Sequence, residues 1–367
     1  MRIAMMHRRL SGGGTEADLR RMATGLATRG HEVHVFCARP DAPAPGVHVR
    51  RVPVLPAGRL ARLVSFALFA PRMVGRERWD VVIGFGRTLR QDVVRCGGGT
   101  HRTYLRRMEA AGLRRPGRGP YHRAILWLER RQYAPDGHRR VLAVSRRVRD
   151  EIVADYGVAP ERIAVIYNGV DTERFHPANR ARVGAATRRA LGVRDGARIC
   201  IAIGSGFRRK GFDLLLRLWR DAPPRDTVLV VVGDDERIGT FRRSAGTSAI
   251  LTGPRDDVEA LLAAADVACV PSRQEAFGNV VLEACAAGVP VVTSRLAGAA
   301  ELLDGALAGL VVDDPEDEEA LAAALARALG PEGPALGRAG RLRAEALPWV
   351  AHVERLEAFL GEVARAS

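Results

Sequence analysis

The segment RICIAIGSGFRRKGFDLLLRLWR, residues 198–220, decides the fold. It opens with a short apolar run, turns at Gly204-Ser205-Gly206, and continues with helical spacing from residue 213 to residue 220. A continuous run rich in β-branched residues is typical of a parallel strand that is covered on both faces. The segment is therefore predicted to be a strand, a glycine turn and a helix, the repeating unit of a doubly wound α/β domain.

The same alternation continues outward in both directions. Further strands are predicted at 2–7, 32–37, 47–53, 79–85, 141–145 and 163–167 in the first half, and at 227–233, 249–253, 267–271, 289–293 and 310–312 in the second. Helical spacing is found at 16–29, 257–265 and 316–329. A chain of 367 residues suits two domains, so the pattern predicts two doubly wound α/β domains.

The domain boundary is predicted near the turn Asn168-Gly169-Val170-Asp171, which gives a first domain of residues 1–175 and a second of residues 176–348. A final amphipathic helix at 349–365 is expected to pack back on the first domain or across both. The chain shows no apolar run of 18 residues and no signal-peptide pattern, so a cytoplasmic location is expected.

The excess positive charge is concentrated in the first half of the chain. The chain has a formal net charge of +15, and residues 1–175 hold 33 basic and 16 acidic residues. The segment 101–149 alone carries 14 arginines, interleaved with tyrosines and Trp127. This pattern favours an anionic membrane surface as a partner, and a solvated arginine-rich surface is the alternative. No RNP, KH or helix-turn-helix pattern is present, so a nucleic-acid partner is not expected.

Two glycine-rich turns follow predicted first strands, where an α/β sheet binds its ligands. Gly12-Gly13-Gly14 precedes the first helix, and a helix N-terminus attracts anions. The turn at 204–211 combines glycines with Arg208, Arg209 and Lys210, and Lys210 is the only lysine of the chain. The turn lacks the spacing of an NTPase loop, which excludes that class, and its composition predicts a diphosphate site.

Two further segments carry polar candidates. Glu275 lies in a loop and Glu283 lies in the helix that Gly278-Asn279 opens, so both carboxylates are suited to hydroxyls of ribose or hexose. The stretch 92–101 ends in three glycines, Thr100 and His101. His101 is its nearest polar candidate, and a structural histidine is the alternative.

Together, Ile-Tyr-Asn-Gly-Val-Asp-x3-Phe (166–175), Gly-Ser-x3-Arg-Lys-Gly (204–211), the two glutamates and Ala-Ala-Gly-Val-Pro-Val-Val-Thr (286–293) resemble a family 4 glycosyltransferase. That family has the GT-B fold, two Rossmann-like domains that face each other across a cleft. Within the family, the chain is most similar to the branch that transfers glucose to a heptose of the lipopolysaccharide core.

The resemblance implies retaining transfer of a hexose, glucose, from a UDP-linked donor to a lipid-linked saccharide such as the lipopolysaccharide inner core. It implies no metal and no other cofactor, and Asp234-Asp235 is predicted to begin a helix. The enzyme is expected to be peripheral on the inner face of the cell membrane, bound through residues 101–149.

The resemblance also implies roles for individual residues. Arg209 and Lys210 neutralise the leaving diphosphate, Glu275 holds hydroxyls of the transferred sugar, and His101 stands nearest to the place, around Gly98, where the branch carries a carboxylate. The residues implied to bind the donor are Gly13, Gly14, Gly204, Ser205, Arg209, Lys210, Gly253, Arg255, Glu275, Ala276, Phe277, Gly278, Asn279 and Glu283. Three alternatives stay open: a transferase for another glycoconjugate, a nucleotide-sugar epimerase, and a basic module that binds RNA or anionic lipid.

Overall fold

The computed structural model of the chain describes residues 1–40, 44–112, 119–246 and 249–366. The described residues form thirteen strands: β1 (Arg2–Met6), β2 (Glu32–Cys37), β3 (His48–Arg51), β4 (Val81–Phe85), β5 (Val93–Cys96), β6 (Arg140–Ala143), β7 (Ile163–Val165), β8 (Arg198–Ile203), β9 (Thr227–Val232), β10 (Ala249–Gly253), β11 (Val267–Val270), β12 (Val291–Ser294) and β13 (Val311–Val312).

They also form thirteen α-helices: α1 (Gly14–Thr28), α2 (Gly58–Val74), α3 (His101–Ala110), α4 (Pro120–Gln132), α5 (Arg146–Tyr156), α6 (Ala185–Ala190), α7 (Phe212–Asp221), α8 (Ile238–Ala245), α9 (Val258–Ala264), α10 (Asn279–Ala286), α11 (Glu318–Leu329), α12 (Gly333–Glu345) and α13 (Trp349–Arg365). Short 3₁₀ turns at Pro160–Arg162, Gly298–Leu302 and Gly305–Leu310, and a π-helical turn at Arg180–Gly184, complete the regular structure.

The chain divides into two compact units. The first contains Met1–Gly169 and Trp349–Ser367, and the second contains Val170–Pro348. The division after Gly169 falls within the predicted turn, so residues 170–175 belong to the second unit and not to the first, to which the sequence pattern had assigned them. The last helix, α13, belongs to the first unit.

The first unit is built on a seven-stranded sheet with the order β3-β2-β1-β4-β5-β6-β7, in which every pairing is parallel. Helices α1 and α13 cover one face together, and Leu19, Leu356 and Leu360 are fully buried there. Gly25 of α1 permits this packing, because a Cβ atom at that position would lie 2.6 Å from Val353 of α13. Helix α2 covers the other face through residues such as Phe66.

The second unit has a six-stranded parallel sheet with the order β10-β9-β8-β11-β12-β13. Its central strands are almost fully buried, which explains why they are continuous apolar runs in the sequence. Both sheets are therefore doubly wound and Rossmann-like, and the predicted α/β fold class is confirmed.

All twelve predicted strands are present, with ends that differ by at most two residues. Strand β5 was missed, because residues 92–101 stand out in the sequence only as a glycine-bearing segment. The strand is four residues long and contains a charge, Arg95, which is 1% exposed. Its guanidinium donates a hydrogen bond to Asn168 at 2.9 Å and pairs with Asp18 at 3.3 Å. The charge is tolerated because these distant partners compensate it.

The packing of α13 on the first unit yields a stability prediction. Leu360→Ala should lower the free energy of unfolding by about 2–4 kcal/mol, because it leaves a cavity in a fully buried position. The control is Val350→Ala on the same helix, where the side chain is 66% exposed and the change should stay within about 0.5 kcal/mol. Urea unfolding followed by circular dichroism measures both, and equal effects would contradict the packing.

Candidate functional site

The second sheet has its topological switch point between β8 and β11. From β8 the successive strands run to one edge of the sheet, and from β11 they run to the other. Ligands of open α/β sheets bind outside the carboxyl ends of the strands at this point. The segments that follow β8 and β11 are 204–211 and 271–278, the two candidate segments of this unit that carry cations and a carboxylate.

Two cations from the first segment contact the same carboxylate oxygen of a residue in the second. Lys210 Nζ lies 2.5 Å from Glu275 Oε2, and Arg209 Nη1 lies 2.8 Å from the same oxygen. Lys210 is 7% exposed, so its ammonium is withdrawn from bulk water. Two cations on one carboxylate leave the cluster with a single excess positive charge, which is suited to an anionic ligand.

The titration behaviour reflects this pairing. Burial would raise the pKa of Glu275, but Lys210 and Arg209 outweigh it and lower the pKa to about 2. Burial lowers the pKa of Lys210, and the attraction of Glu275 opposes that shift. The carboxylate is therefore ionised throughout the physiological pH range, and it is the counter-charge that keeps a buried ammonium in place.

The backbone fixes the loop that carries the cations. Gly211 has φ +73°, and a Cβ atom there would lie 2.1 Å from the carbonyl oxygen of Pro271, so the two loops can approach only at glycine. The amide of Arg273 donates to the carbonyl of Arg209 at 2.9 Å. Asp235 accepts a hydrogen bond from the amide of Phe207 at 2.7 Å. Asp235 thus anchors the loop, and it stands three residues before α8 begins.

Arg273 is a residue that sequence reasoning missed. Its buried guanidinium donates to Asp213 Oδ1 and to the carbonyl of Arg208, each at 2.6 Å, and Nε donates to Glu316 at 2.5 Å. It therefore ties the cation loop to α7 and to the segment before α11. No motif spacing points to Arg273, because its partners lie far away along the chain.

The segment that carries Glu275 is held by the neighbouring 294–299 turn. The amide of Glu275 donates to Leu296 at 3.2 Å, and the amide of Ala299 donates to Phe277 at 2.7 Å. Helix α10 begins directly afterwards, and Glu283, one turn along it, is near enough to contribute electrostatically to Lys210. The predicted residues of this segment, Glu275, Ala276, Phe277, Gly278, Asn279 and Glu283, therefore occupy the loop and the first turns of α10, beside the cation loop with Gly204, Ser205, Arg209 and Lys210.

Two predicted residues do not join the cluster. Gly253 ends β10, which lies two strands away from β8 in the sheet. Arg255 forms a bidentate pair with Asp257, with distances of 2.8 and 2.5 Å, on the exposed surface. Their assignment to donor binding stays a prediction.

Gly13, Gly14 and His101 belong to the first unit. Gly13 precedes α1 and Gly14 is its first residue; beside them, His7 Nε2 lies 3.3 Å from Glu16 Oε1. His101 is the first residue of α3, and its amide donates to both carboxylate oxygens of Glu129 at 3.0 Å.

The His101 ring is itself partnered. Its Nε2 lies 2.9 Å from Nδ1 of His122, a contact that sequence reasoning missed. Burial, aided by Arg87 and His122, lowers the pKa of His101 to about 3. The catalytic role of His101 stays a prediction.

Within the described ranges, no group of three or more His, Cys, Asp or Glu side chains is placed to hold a metal ion. Independence of a metal stays a prediction. None of the described helices combines the length and the apolar character that crossing a membrane requires.

Comparison with known proteins places the chain in a family. Residues 12–174 match the model described as Glycosyltransferase Family 4, and residues 197–330 match the one described as Glycosyl transferases group 1. A probable transglycosylase of Burkholderia thailandensis is 33% identical over 77% of this chain and 74% of its own length. The chain belongs to the family 4 glycosyltransferases.

Further relatives support this glycosyltransferase assignment. The lipopolysaccharide glucosyltransferase WaaG of Escherichia coli K12 is 26% identical over 86% of each chain. The crystal structure of WaaG aligns with a TM-score of 0.81 at 23% identity, over 98% of this chain and 99% of that one. Anabaena HepE, solved in complex with UDP-glucose, aligns with a TM-score of 0.73 at 18% identity, over 99% and 100%. The fold of this glycosyltransferase is GT-B.

The Glu275 pairing predicts how the stability of the glycosyltransferase varies with pH. The pKa of Glu275 lies below its ordinary value of 4.5, so the ionised carboxylate stabilises the fold above that pH, and this stabilisation is lost as the pH falls towards about 2. The stability gap between wild type and Glu275→Gln should therefore narrow by about 2 kcal/mol between pH 7 and pH 3.

Urea unfolding at the two pH values measures the gap. The control is Glu318→Gln, because the pair of Glu318 with Arg217 is half exposed on both sides and should contribute less than about 1 kcal/mol at either pH. A gap for Glu275→Gln that is the same at pH 7 and pH 3 would contradict the paired, ionised state.

Proposed function

We propose that the chain is a retaining glycosyltransferase that transfers glucose from UDP-glucose to a lipid-linked saccharide, such as the inner core of lipopolysaccharide. The observation that carries the proposal is the convergence of Lys210 and Arg209 on Glu275 at the switch point of the second sheet. The two cations and the carboxylate leave one excess positive charge for a diphosphate, and the same carboxylate can accept hydrogen bonds from sugar hydroxyls.

The positive charges of Lys210 and Arg209 suit the step in which the donor is cleaved. When the bond between the anomeric carbon and the diphosphate oxygen is cleaved, negative charge develops on the departing diphosphate. Lys210 and Arg209 are fixed beforehand by Glu275 and by the loop contacts, so they stabilise that charge without reorganising. Glu275 would keep one oxygen for the cations and offer the other to sugar hydroxyls, and Glu283 would bind the ribose.

The choice of donor and acceptor rests on the relatives. WaaG is named a lipopolysaccharide glucosyltransferase, and HepE was solved with UDP-glucose. We assign the same donor and acceptor class to this chain, with retention of the anomeric configuration and without a metal ion. Glycosyltransferase family membership speaks against the alternative of a basic module that only binds RNA or lipid.

The proposed membrane contact is a stripe on helix α4, which we call the α4 stripe: Arg123, Trp127, Arg130 and Arg131. The last three are spaced four, seven and eight positions after the first, so they share one face of the helix. All four are exposed, Trp127 by 49%, and Arg131 lies 5.9 Å from the Trp127 ring. Cations beside an exposed indole suit an anionic lipid surface, and this supports our proposal that the enzyme binds the inner face of the cell membrane. Arg114, Arg115 and Arg118 of the basic segment lie outside the described residues.

Lys210→Ala should lower the rate of glucosyl transfer by about 10²–10³-fold, the loss expected for one preorganised electrostatic donor. Initial rates with UDP-glucose and a lipopolysaccharide acceptor truncated before this glucose measure the effect. Arg208→Ala is the control, because the side chain of this neighbouring cation is exposed and takes no part in the Glu275 pairing.

Wild-type rates in Lys210→Ala would overturn the assignment of this site. Assays without acceptor separate the remaining alternative, since an epimerase would convert UDP-glucose with no second substrate. Rapid acceptor-free turnover into another sugar nucleotide would replace the transferase proposal.

Replacing Arg123, Arg130 and Arg131 by glutamine should weaken binding to vesicles that contain phosphatidylglycerol by about 10²-fold, at roughly 1 kcal/mol for each charge. Transfer to a soluble acceptor fragment should be unchanged. Vesicle cosedimentation measures the binding, and the charge-matched control replaces the exposed Arg217, Arg220 and Arg225 of the second unit. Equal binding by the two triple variants would refute the α4 stripe as the membrane contact.

A further inference from the structure

The first unit contains a cavity that the proposed donor site does not use. It has a volume of about 300 Å³, at the small end of the range for ligand pockets. Its walls come from the segments after β1 and β4, which meet at the switch point of the first sheet, and from helices α2, α3 and α4. The position at a switch point is where a doubly wound sheet binds its ligand.

The polar wall of this cavity is cationic. Arg8, Arg59 and Arg87 line it, and no carboxylate is found among its described lining residues. Arg87 lies 3.4 Å from Glu129, behind the wall, while its buried Nε has no hydrogen-bond partner among the described residues. Three guanidinium groups that line one half-open cavity repel each other, and an anionic ligand would supply the missing counter-charge.

The aromatic wall is suited to a sugar ring. The rings of His101 and His122 are stacked with 5.1 Å between centroids, and His101 also stacks on Tyr104 at 5.6 Å. Arg59 lies 4.8 Å from the centre of the Tyr121 ring. Flat aromatic faces beside hydroxyl and imidazole hydrogen-bonding groups can hold the apolar face and the hydroxyls of a pyranose.

The electrostatics are consistent with an anionic occupant. Burial and the positive charge of Arg87 lower the pKa of His101, and burial and Arg59 lower the pKa of His122. Burial would raise the pKa of Tyr121, but Arg8 and Arg59 outweigh this effect and lower the pKa of the phenol. The lowered pKa values of these three groups therefore indicate a positive potential around the arginines of the cavity.

We infer that this cavity binds an acidic sugar unit of the acceptor, with a phosphate or carboxylate held by Arg8, Arg59 and Arg87 and the sugar ring against His101, His122 and Tyr121. The inference rests on the proposed function, because it specifies the acceptor class for that transferase. An acidic saccharide, and not a neutral one, is then the preferred acceptor.

The test uses the whole enzyme and four probes: glucose 6-phosphate, glucuronate, glucose and inorganic phosphate. Each is titrated at constant ionic strength, because a chain with a net charge of +15 attracts any anion at low salt. The ring C–H signals of His101 and His122 in NMR spectra report occupancy. UDP-glucose binding is measured in parallel by calorimetry, so that failure of the donor site can be told apart from failure of the cavity.

We expect glucose 6-phosphate or glucuronate to shift both histidine signals saturably, and glucose to bind at least 10-fold more weakly. The tighter of the two acidic sugars identifies the acidic group as phosphate or carboxylate. Arg59→Gln should weaken the acidic sugar about 10-fold, as expected for one charge-assisted contact. Arg72→Gln is the matched control, because it is exposed on the same helix and does not line the cavity.

Three results would overturn the inference while UDP-glucose still binds: equal binding of glucose and the acidic sugars, equal affinity of wild type and Arg59→Gln, or inorganic phosphate binding as tightly as glucose 6-phosphate. The last would make the cavity a free-phosphate site. Arg8→Gln provides a second variant if Arg59→Gln melts at a lower temperature than wild type. Loss of UDP-glucose binding in the wild-type enzyme would instead refute the proposed function.

Discussion

The pairing of one carboxylate with two cations is the interaction on which the second unit's site depends. Glu275 joins the loop after β11 to the loop after β8, and without it Arg209 and Lys210 would be two like charges held together in a partly buried place. Among these three side chains the compensation is incomplete, since one positive charge is left over. A site that is stable when empty and that binds the proposed diphosphate would need this balance.

Residues outside the cluster maintain its geometry. Arg273 links the cation loop to α7 and to Glu316, and Asp235 holds the amide of Phe207. Gly211 allows the two loops to touch. We assign these residues no contact with substrate. They act by restricting the positions that the Lys210 ammonium can occupy. Preorganisation of this kind is what makes a fixed charge effective in catalysis.

The sequence was sufficient for the architecture, and it was weaker on contacts between distant segments. Buried parallel strands are continuous apolar runs, so twelve strands and the site loops could be read directly. Strand β5 could not be read from the sequence, because Arg95 interrupts the apolar run. The partners that compensate Arg95, Asp18 and Asn168, are not adjacent to it in sequence. Lys210 stood out as the single lysine and Glu275 by its spacing to Glu283, yet their contact follows only from the adjacency of β8 and β11. The stacking of His101 on His122 depends on the packing of two helices, which no spacing rule predicts.

The most direct test of the central claim is a crystal structure of the enzyme with bound UDP-glucose. We predict diphosphate oxygens within hydrogen-bonding distance of Lys210 Nζ and of the Arg209 guanidinium, with hydroxyls of the glucose on Glu275. A diphosphate bound elsewhere, with Lys210 still paired to Glu275 and touching no phosphate oxygen, would contradict the claim.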